Sequence, residues 1–268
     1  GRLNNRTHRK LLIVDGAVGF TGGVGIADKW TGDAQDPDHW RDTHFRIEGP
    51  VVAQMQGVFM DNWIKTSGAV LHGAEYFPEL APIEGGGPAQ VFSSSPTGGS
   101  ASMELMYLLA ITAATRSIHI SSSYFVPNEL AVKTMVQAMR RGVKLQIIVP
   151  GAHTDTETVR SASKARWGDL LAAGAEIYEY QPTMYHCKVM IVDEFMVSSG
   201  STNFDDRSFR LNDEANLNIY DRSFAAEQVK FFKDDLAKSR RIDLATWQAR
   251  PLREKVVEHF ASLLGSQL

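Results

Sequence analysis

The sequence predicts an α/β fold built from two pseudo-symmetric halves, each a mixed β-sheet flanked by helices, with a functional site where the halves meet. Three observations carry this. A frame of His, any residue, Lys, four residues and Asp occurs twice, as His8-Lys10-Asp15 and His186-Lys188-Asp193. Each copy sits in a strand–turn–strand pattern, THRKLLIVDGAVGFTGG and YHCKVMIVDEFMVSSGSTN. Between residues 90 and 180, short apolar runs alternate with amphipathic segments, the pattern of a mostly parallel sheet with helices on its faces.

Residues 6–24 read as a hairpin: KLLIV is apolar and β-branched, Asp15-Gly16 is a turn signal, and VGF returns. Residues 28–39, DKWTGDAQDPDH, are polar and hold Pro and Gly, so they form a loop. Trp40–Ile47 alternates like a strand. Residues 50–65 begin with Pro and carry Met55, Phe59 and Trp63 along one stripe, which makes an amphipathic helix. Gly, Pro and Glu clusters at 67–90 mark a linker.

The second half opens with a strand at 90–93 and a helix at 101–115 with few charges. Ser117–Phe125 is a strand, 128–141 a helix capped by Asn128, Lys144–Val149 a strand, 156–173 a helix and 175–180 a strand. Residues 222–237 and 243–264 are charged amphipathic helices.

On a strand, side chains two apart share a face, so His8 and Lys10 point together, as do His186 and Lys188. An imidazole beside an ammonium suits reaction at phosphorus. The ring attacks or moves a proton, and the lysine holds oxygens whose negative charge grows in the transition state. Gly22-Gly23 and Gly200-Ser201-Thr202-Asn203 end the returning strands. There Gly22, Gly23, Ser201 and Asn203 offer N–H, hydroxyl and amide groups to a phosphate.

The 268 residues, 43% of them hydrophobic, suffice for a large core. A formal net charge of −3 speaks against a nucleic-acid partner. The single cysteine, Cys187, excludes an internal disulfide and points away from His186 and Lys188, which makes it a core thiol. No Cys, His and carboxylate set has metal-ligand spacing, and the lysines supply positive charge, so neither metal nor cofactor is expected. Only seven residues precede the first motif, whereas strands and helices precede the second. An internal repeat therefore predicts that an amino-terminal segment of the same protein is missing from this chain.

The paired motifs resemble the phospholipase D superfamily, and bacterial cardiolipin synthases in particular. The resemblance rests on the two His-x-Lys-x4-Asp copies, WRDTHFRIEGPVV at 40–52, SSYFVPNE at 122–129 and GSTNFDDRSFRLNDEAN at 200–216. It covers nearly the whole chain and implies residues 1–66 as the remainder of the first phospholipase D-like half, 67–90 as linker and 91–268 as the second half.

By the same resemblance, Asp42 orients the ring of His8 and Glu214 that of His186, while Tyr124 stands at the mouth of the site. One histidine forms a phosphohistidine and the other protonates the leaving alcohol. The family pattern makes His8 the nucleophile, though these residues alone allow the reverse. One departure is Gly25, where the family carries Asn.

The implied substrate is phosphatidylglycerol, two molecules giving cardiolipin, at the surface of the bacterial cytoplasmic membrane. A phospholipase D-type hydrolase, a nuclease and a non-catalytic membrane-associated scaffold remain open. A membrane contact through Trp247 and the Lys238–Arg241 run is a further expectation.

Overall fold

The computed structural model describes residues 5–263. After the short strand β1 (Arg6–Thr7), the first motif forms a hairpin of β2 (Leu11–Val14) and β3 (Val18–Gly22). Asp15 and Gly16 turn it at φ 52° and 63°, a conformation that glycine, Asp and Asn tolerate best. Strand β4 (His44–Glu48) completes a three-stranded sheet in the order β2-β3-β4. Helix α1 (Val51–Ser67) starts after Gly49-Pro50 and ends at left-handed Gly68. Its Val51, Val52 and Met55 pack on Ile47, Leu11 and Ile13. No regular element interrupts residues 68–88.

Strand β5 (Ala89–Ser94) is followed by α2 (Ser102–Ala113), β6 (Ser117–Ser122), β7 (Phe125–Val126), α3 (Glu129–Arg140) and β8 (Lys144–Pro150). Next come α4 (Glu157–Ala165), α5 (Trp167–Ala172), β9 (Glu176–Tyr180), β10 (Lys188–Val192) and β11 (Met196–Gly200). The chain closes with β12 (Phe204–Asp205), α6 (Asp206–Arg210), β13 (Asn212–Tyr220), α7 (Arg222–Ala237), β14 (Ser239–Ile242), α8 (Leu244–Gln248) and α9 (Leu252–Leu263).

The large sheet runs β1-β13-β11-β10-β6-β8-β9-β14, with β5 also paired to β13. Strands β6, β8 and β9 are parallel, as their helical crossovers require, and β10, β11 and β13 are antiparallel. Alternation along β10 divides its side chains between two cores. Met190 and Val192 join the cluster under α2, α3 and α5, while Val189, Ile191 and the preceding Cys187 join the one under α7.

Two parallel pairings tie the halves together. Arg6 and Thr7 lie against Asn212 and Asp213, and Arg41 bridges Tyr185. The residues leading into His8 thus run beside the start of β13, and those leading into His186 run beside the segment just ahead of β4.

The elements differ from expectation where local chemistry breaks a long pattern. The helix expected at 156–173 divides at Arg166, and the one expected at 243–264 breaks ahead of Pro251, which has no N–H to continue it. Residues 239–242 form the strand β14 on β9, where Arg240 and Arg241 pair with Glu179 and Glu176. Trp247 packs against Gly168 and its indole N–H donates to the Lys164 carbonyl at 2.8 Å. Its indole and those two guanidiniums are therefore held by the protein itself. No helix among the described residues is long and apolar enough to cross a membrane.

Candidate active site

Both His-x-Lys pairs lie at the entrances of their strands, with Lys10 just before β2 and Lys188 as the first residue of β10. Each lysine meets its own histidine. Lys10 Nζ is 2.9 Å from His8 Nε2, and Lys188 Nζ is 3.2 Å from His186 Nε2. Lys188 also donates to Ser123 Oγ at 3.0 Å, and Ser123 in turn donates to Asn203 Oδ1 at 2.6 Å.

The carboxylates are crossed relative to expectation. Asp42 Oδ2 lies 2.7 Å from Nδ1 of His186, and both oxygens of Glu214 lie 3.0 Å from Nδ1 of His8. The backbone explains the exchange. The amide of His8 donates to the Asp213 carbonyl at 2.9 Å, which places the next residue, Glu214, beside that ring. The amide of His186 donates to the Arg41 carbonyl at 2.7 Å, which does the same for Asp42. Each imidazole is thereby oriented by the opposite half.

Other groups saturate these carboxylates. Glu214 accepts from Ser201 Oγ at 2.5 Å and from Asn212 Nδ2 at 3.3 Å. Asp42 accepts from the Thr43 amide at 2.7 Å and from Trp30 Nε1 at 2.9 Å. Trp30 and Trp40 also wall the His186 ring, with centroids 5.4 and 5.2 Å away. Sequence reasoning missed both tryptophans. The available signal was an indole in the polar loop 28–39 and a second at the start of the strand reading, just ahead of Arg41-Asp42.

Several expected phosphate contacts do other work. Gly22 pairs with His44 in the sheet, and the Gly23 amide donates to the Thr43 carbonyl at 3.0 Å. A Cβ on Gly23 would stand 2.2 Å from Asp42 Oδ1, so this glycine makes room for the carboxylate. Ser201 is committed to Glu214, and the Asn203 carbonyl oxygen to Ser123. Tyr124 Oη donates to Asp155 at 2.6 Å, and burial pushes its hydroxyl pKa up.

Asp15 and Asp193 lie outside the constellation, in the turns at the far ends of β2 and β10. The Asp193 carboxylate accepts from the amides of Thr115, Arg116 and Ser117 at 2.9, 2.7 and 3.0 Å. It anchors the hairpin to the start of β6.

Electrostatics bind the two copies into one site. Burial, then the Lys188 ammonium, push His186 down to about 4, against the pull of Asp42. Burial also pushes Lys188 down to about 8, and Lys10 is lowered for the same reason while Glu214 and Asp42 oppose the change. Lys10 thus answers to carboxylates of both copies, and its charge reaches both His186 and Lys188. Burial lifts the Cys187 thiol to about 12, consistent with a core residue. The arrangement provides two imidazoles with Nδ1 held by carboxylates and an ammonium beside each ring.

A family model described as "Cardiolipin synthase, PLD-like domain" matches residues 107–236. A cardiolipin synthase of Geobacillus sp. (strain WCH70) is 38% identical over 267 residues, 99% of this chain and 53% of that protein. The chain spans about half the length of the curated relatives it matches. A phosphatidylserine synthase of Haemophilus influenzae Rd KW20 shares the fold, with a TM-score of 0.71 at 13% identity over 98% of this chain and 70% of that one. The phospholipase D family member Nuc from Salmonella typhimurium aligns with a TM-score of 0.51 at 25% identity, over 58% of this chain and 98% of its own. With two His-x-Lys pairs facing crossed carboxylates and this set of relatives, the chain belongs to the phospholipase D superfamily as a homologue of bacterial cardiolipin synthases.

Proposed function

We propose that the protein is a phosphatidyltransferase that joins two phosphatidylglycerol molecules into cardiolipin and releases glycerol. The observation that carries this reading is the crossed pair: each imidazole has Nδ1 on a carboxylate of the other copy and an ammonium within 3.2 Å of its ring nitrogens.

In this mechanism His8 Nε2 attacks phosphorus, a P–N bond forms, and the P–O bond to glycerol breaks. His186 gives its proton to the leaving glycerol oxygen. A hydroxyl of the second phosphatidylglycerol then loses its proton to His186 and attacks phosphorus, and the P–N bond breaks to restore His8. Glu214 stabilises the charge that builds on the His8 ring, and Asp42 does so for His186. Lys10 and Lys188 turn from the imidazoles to the phosphate oxygens, joined by the Asn203 amide.

Burial and Lys188 favour the neutral His186 ring. A bound phosphodiester sets a negative charge against both lysines, removes part of that penalty and lets His186 take up the proton it must donate. The reaction takes place at a membrane surface, where its lipid substrates are, and the bacterial cytoplasmic membrane is the proposed location.

The test gives the complete protein phosphatidylglycerol vesicles and identifies the lipid products by mass spectrometry, with His186→Ala as control. Cardiolipin with glycerol, absent in the variant, supports the transferase. Phosphatidic acid alone makes water the acceptor and the protein a hydrolase. No lipid product sinks the reading and turns attention to nucleic acid or to a scaffold role.

A further inference from the structure

We propose that Trp30 is a positioning residue for this site. Its indole N–H sets the Asp42 carboxylate and thereby the proton affinity of His186. The inference rests on His186 being the acid and base of the proposed reaction, but its geometry stands apart from the identity of the lipid.

Asp42 Oδ2 receives two donors, His186 Nδ1 at 2.7 Å and Trp30 Nε1 at 2.9 Å, while Oδ1 receives the Thr43 amide at 2.7 Å. With one oxygen shared, each donor weakens the negative potential that the other feels. The indole therefore limits how strongly Asp42 stabilises an imidazolium, and with the Thr43 amide it holds the carboxylate in place. The backbone is shaped for it: a Cβ at Gly25 would stand 2.9 Å from the Trp30 ring, and one at Gly23 would stand 2.2 Å from Asp42 Oδ1. Gly25, the departure from the family pattern, is thus the residue that admits the indole.

The same arrangement makes the two histidines unequal. Glu214 takes its further donors from Ser201 and Asn212, and no aromatic ring lies against His8 among the described contacts. The His8 side chain is 29% exposed and that of His186 only 9%. A histidine that releases and recovers a proton within one turnover gains from that enclosure, because bulk water cannot intercept the proton. The charged groups facing His186 are Asp42, Lys188 and Lys10, with Lys29 beyond the indoles at 3.8 Å from the Trp40 centroid and 5.0 Å from that of Trp30.

Removing the N–H while keeping a ring strengthens the hold of Asp42 on the imidazolium. In Trp30→Phe, the proton affinity of His186 is expected to rise roughly tenfold, the pH profile of kcat to shift with it, and KM to stay within about twofold. Trp40→Phe is the control, because Trp40 touches the His186 ring without bonding to Asp42.

The experiment titrates His186 by ¹H–¹⁵N NMR in the complete protein and both variants, and follows kcat and KM against pH. A displaced titration in Trp30→Phe alone supports the proposal. An unchanged titration in Trp30→Phe, or an equal displacement in Trp40→Phe, overturns it. Absence of turnover on phosphatidylglycerol in the unmodified protein would overturn the transferase reading, while the titration would still decide the role of Trp30.

Discussion

Glu214 stands 206 residues from His8 along the chain, yet both of its carboxylate oxygens lie 3.0 Å from Nδ1 of that ring. Glu214→Gln removes the negative charge and leaves one acceptor oxygen where there were two. The expected result is a kcat lowered by roughly 10²–10⁴-fold, as when the carboxylate behind a catalytic histidine is neutralised. Rapid-quench measurement of phosphohistidine should show slowed formation, while the titration of His186 stays where it was. A displaced His186 titration would mean that Glu214 serves the other ring.

Gly23→Ala separates the fold from the site. The added methyl would meet Asp42 Oδ1, the end of a side chain that can swing aside, so stability should change by less than about 1 kcal/mol. Turnover should fall by roughly 10–100-fold, because the movement that relieves the clash draws Asp42 away from His186. Melting temperature and kcat, measured side by side, check both halves of this expectation.

Asp193 gives the opposite pattern. Its carboxylate ties the β10–β11 turn to three amides at the start of β6 and touches neither histidine. Asp193→Ala should cost about 1–3 kcal/mol in a urea titration and leave kcat unchanged. A large loss of turnover at full stability would return Asp193 to the catalytic set.

Lys188 sets opposing trends with pH. Burial lowers it to about 8 from an ordinary value of 10.5, so between those two pH values the unfolded chain binds more protons than the native one. The penalty for burying the ammonium is complete below pH 8 and is relieved as pH rises towards 10.5, which adds to stability. Over the same range the lysine loses the charge that holds phosphate, so kcat/KM should decline above about pH 8. Chemical denaturation and initial rates at pH 7–10 should therefore move in opposite directions.

The chemistry-bearing residues were legible in the sequence because a strand entrance fixes the relation of neighbours two apart. His8 with Lys10 and His186 with Lys188 needed no long-range information. Asp42 and Glu214 were visible as candidates, but their partners were not. Which ring each carboxylate meets depends on the parallel runs of Arg6–Thr7 beside Asn212–Asp213 and of Arg41 beside Tyr185, and no spacing along the chain records those. Gly22-Gly23 misled for another reason: a residue without a side chain fits an exposed amide and a crowded neighbour equally well, and here the neighbours are Asp42 and the His44 backbone. Trp30 lay hidden in a polar loop that carries no periodicity, and Trp40 read only as the first residue of a strand.

The exchange of carboxylates acts as a mutual lock. A cut anywhere between Asp42 and His186 yields one fragment with His8 and Asp42 and another with His186 and Glu214. Each fragment then holds a histidine whose partner has left with the other piece. Neither fragment alone can orient its ring, and recovery of turnover on mixing them would report reassembly of the backbone pairing itself. Chemistry in this protein is thus inseparable from the closing of the chain upon itself.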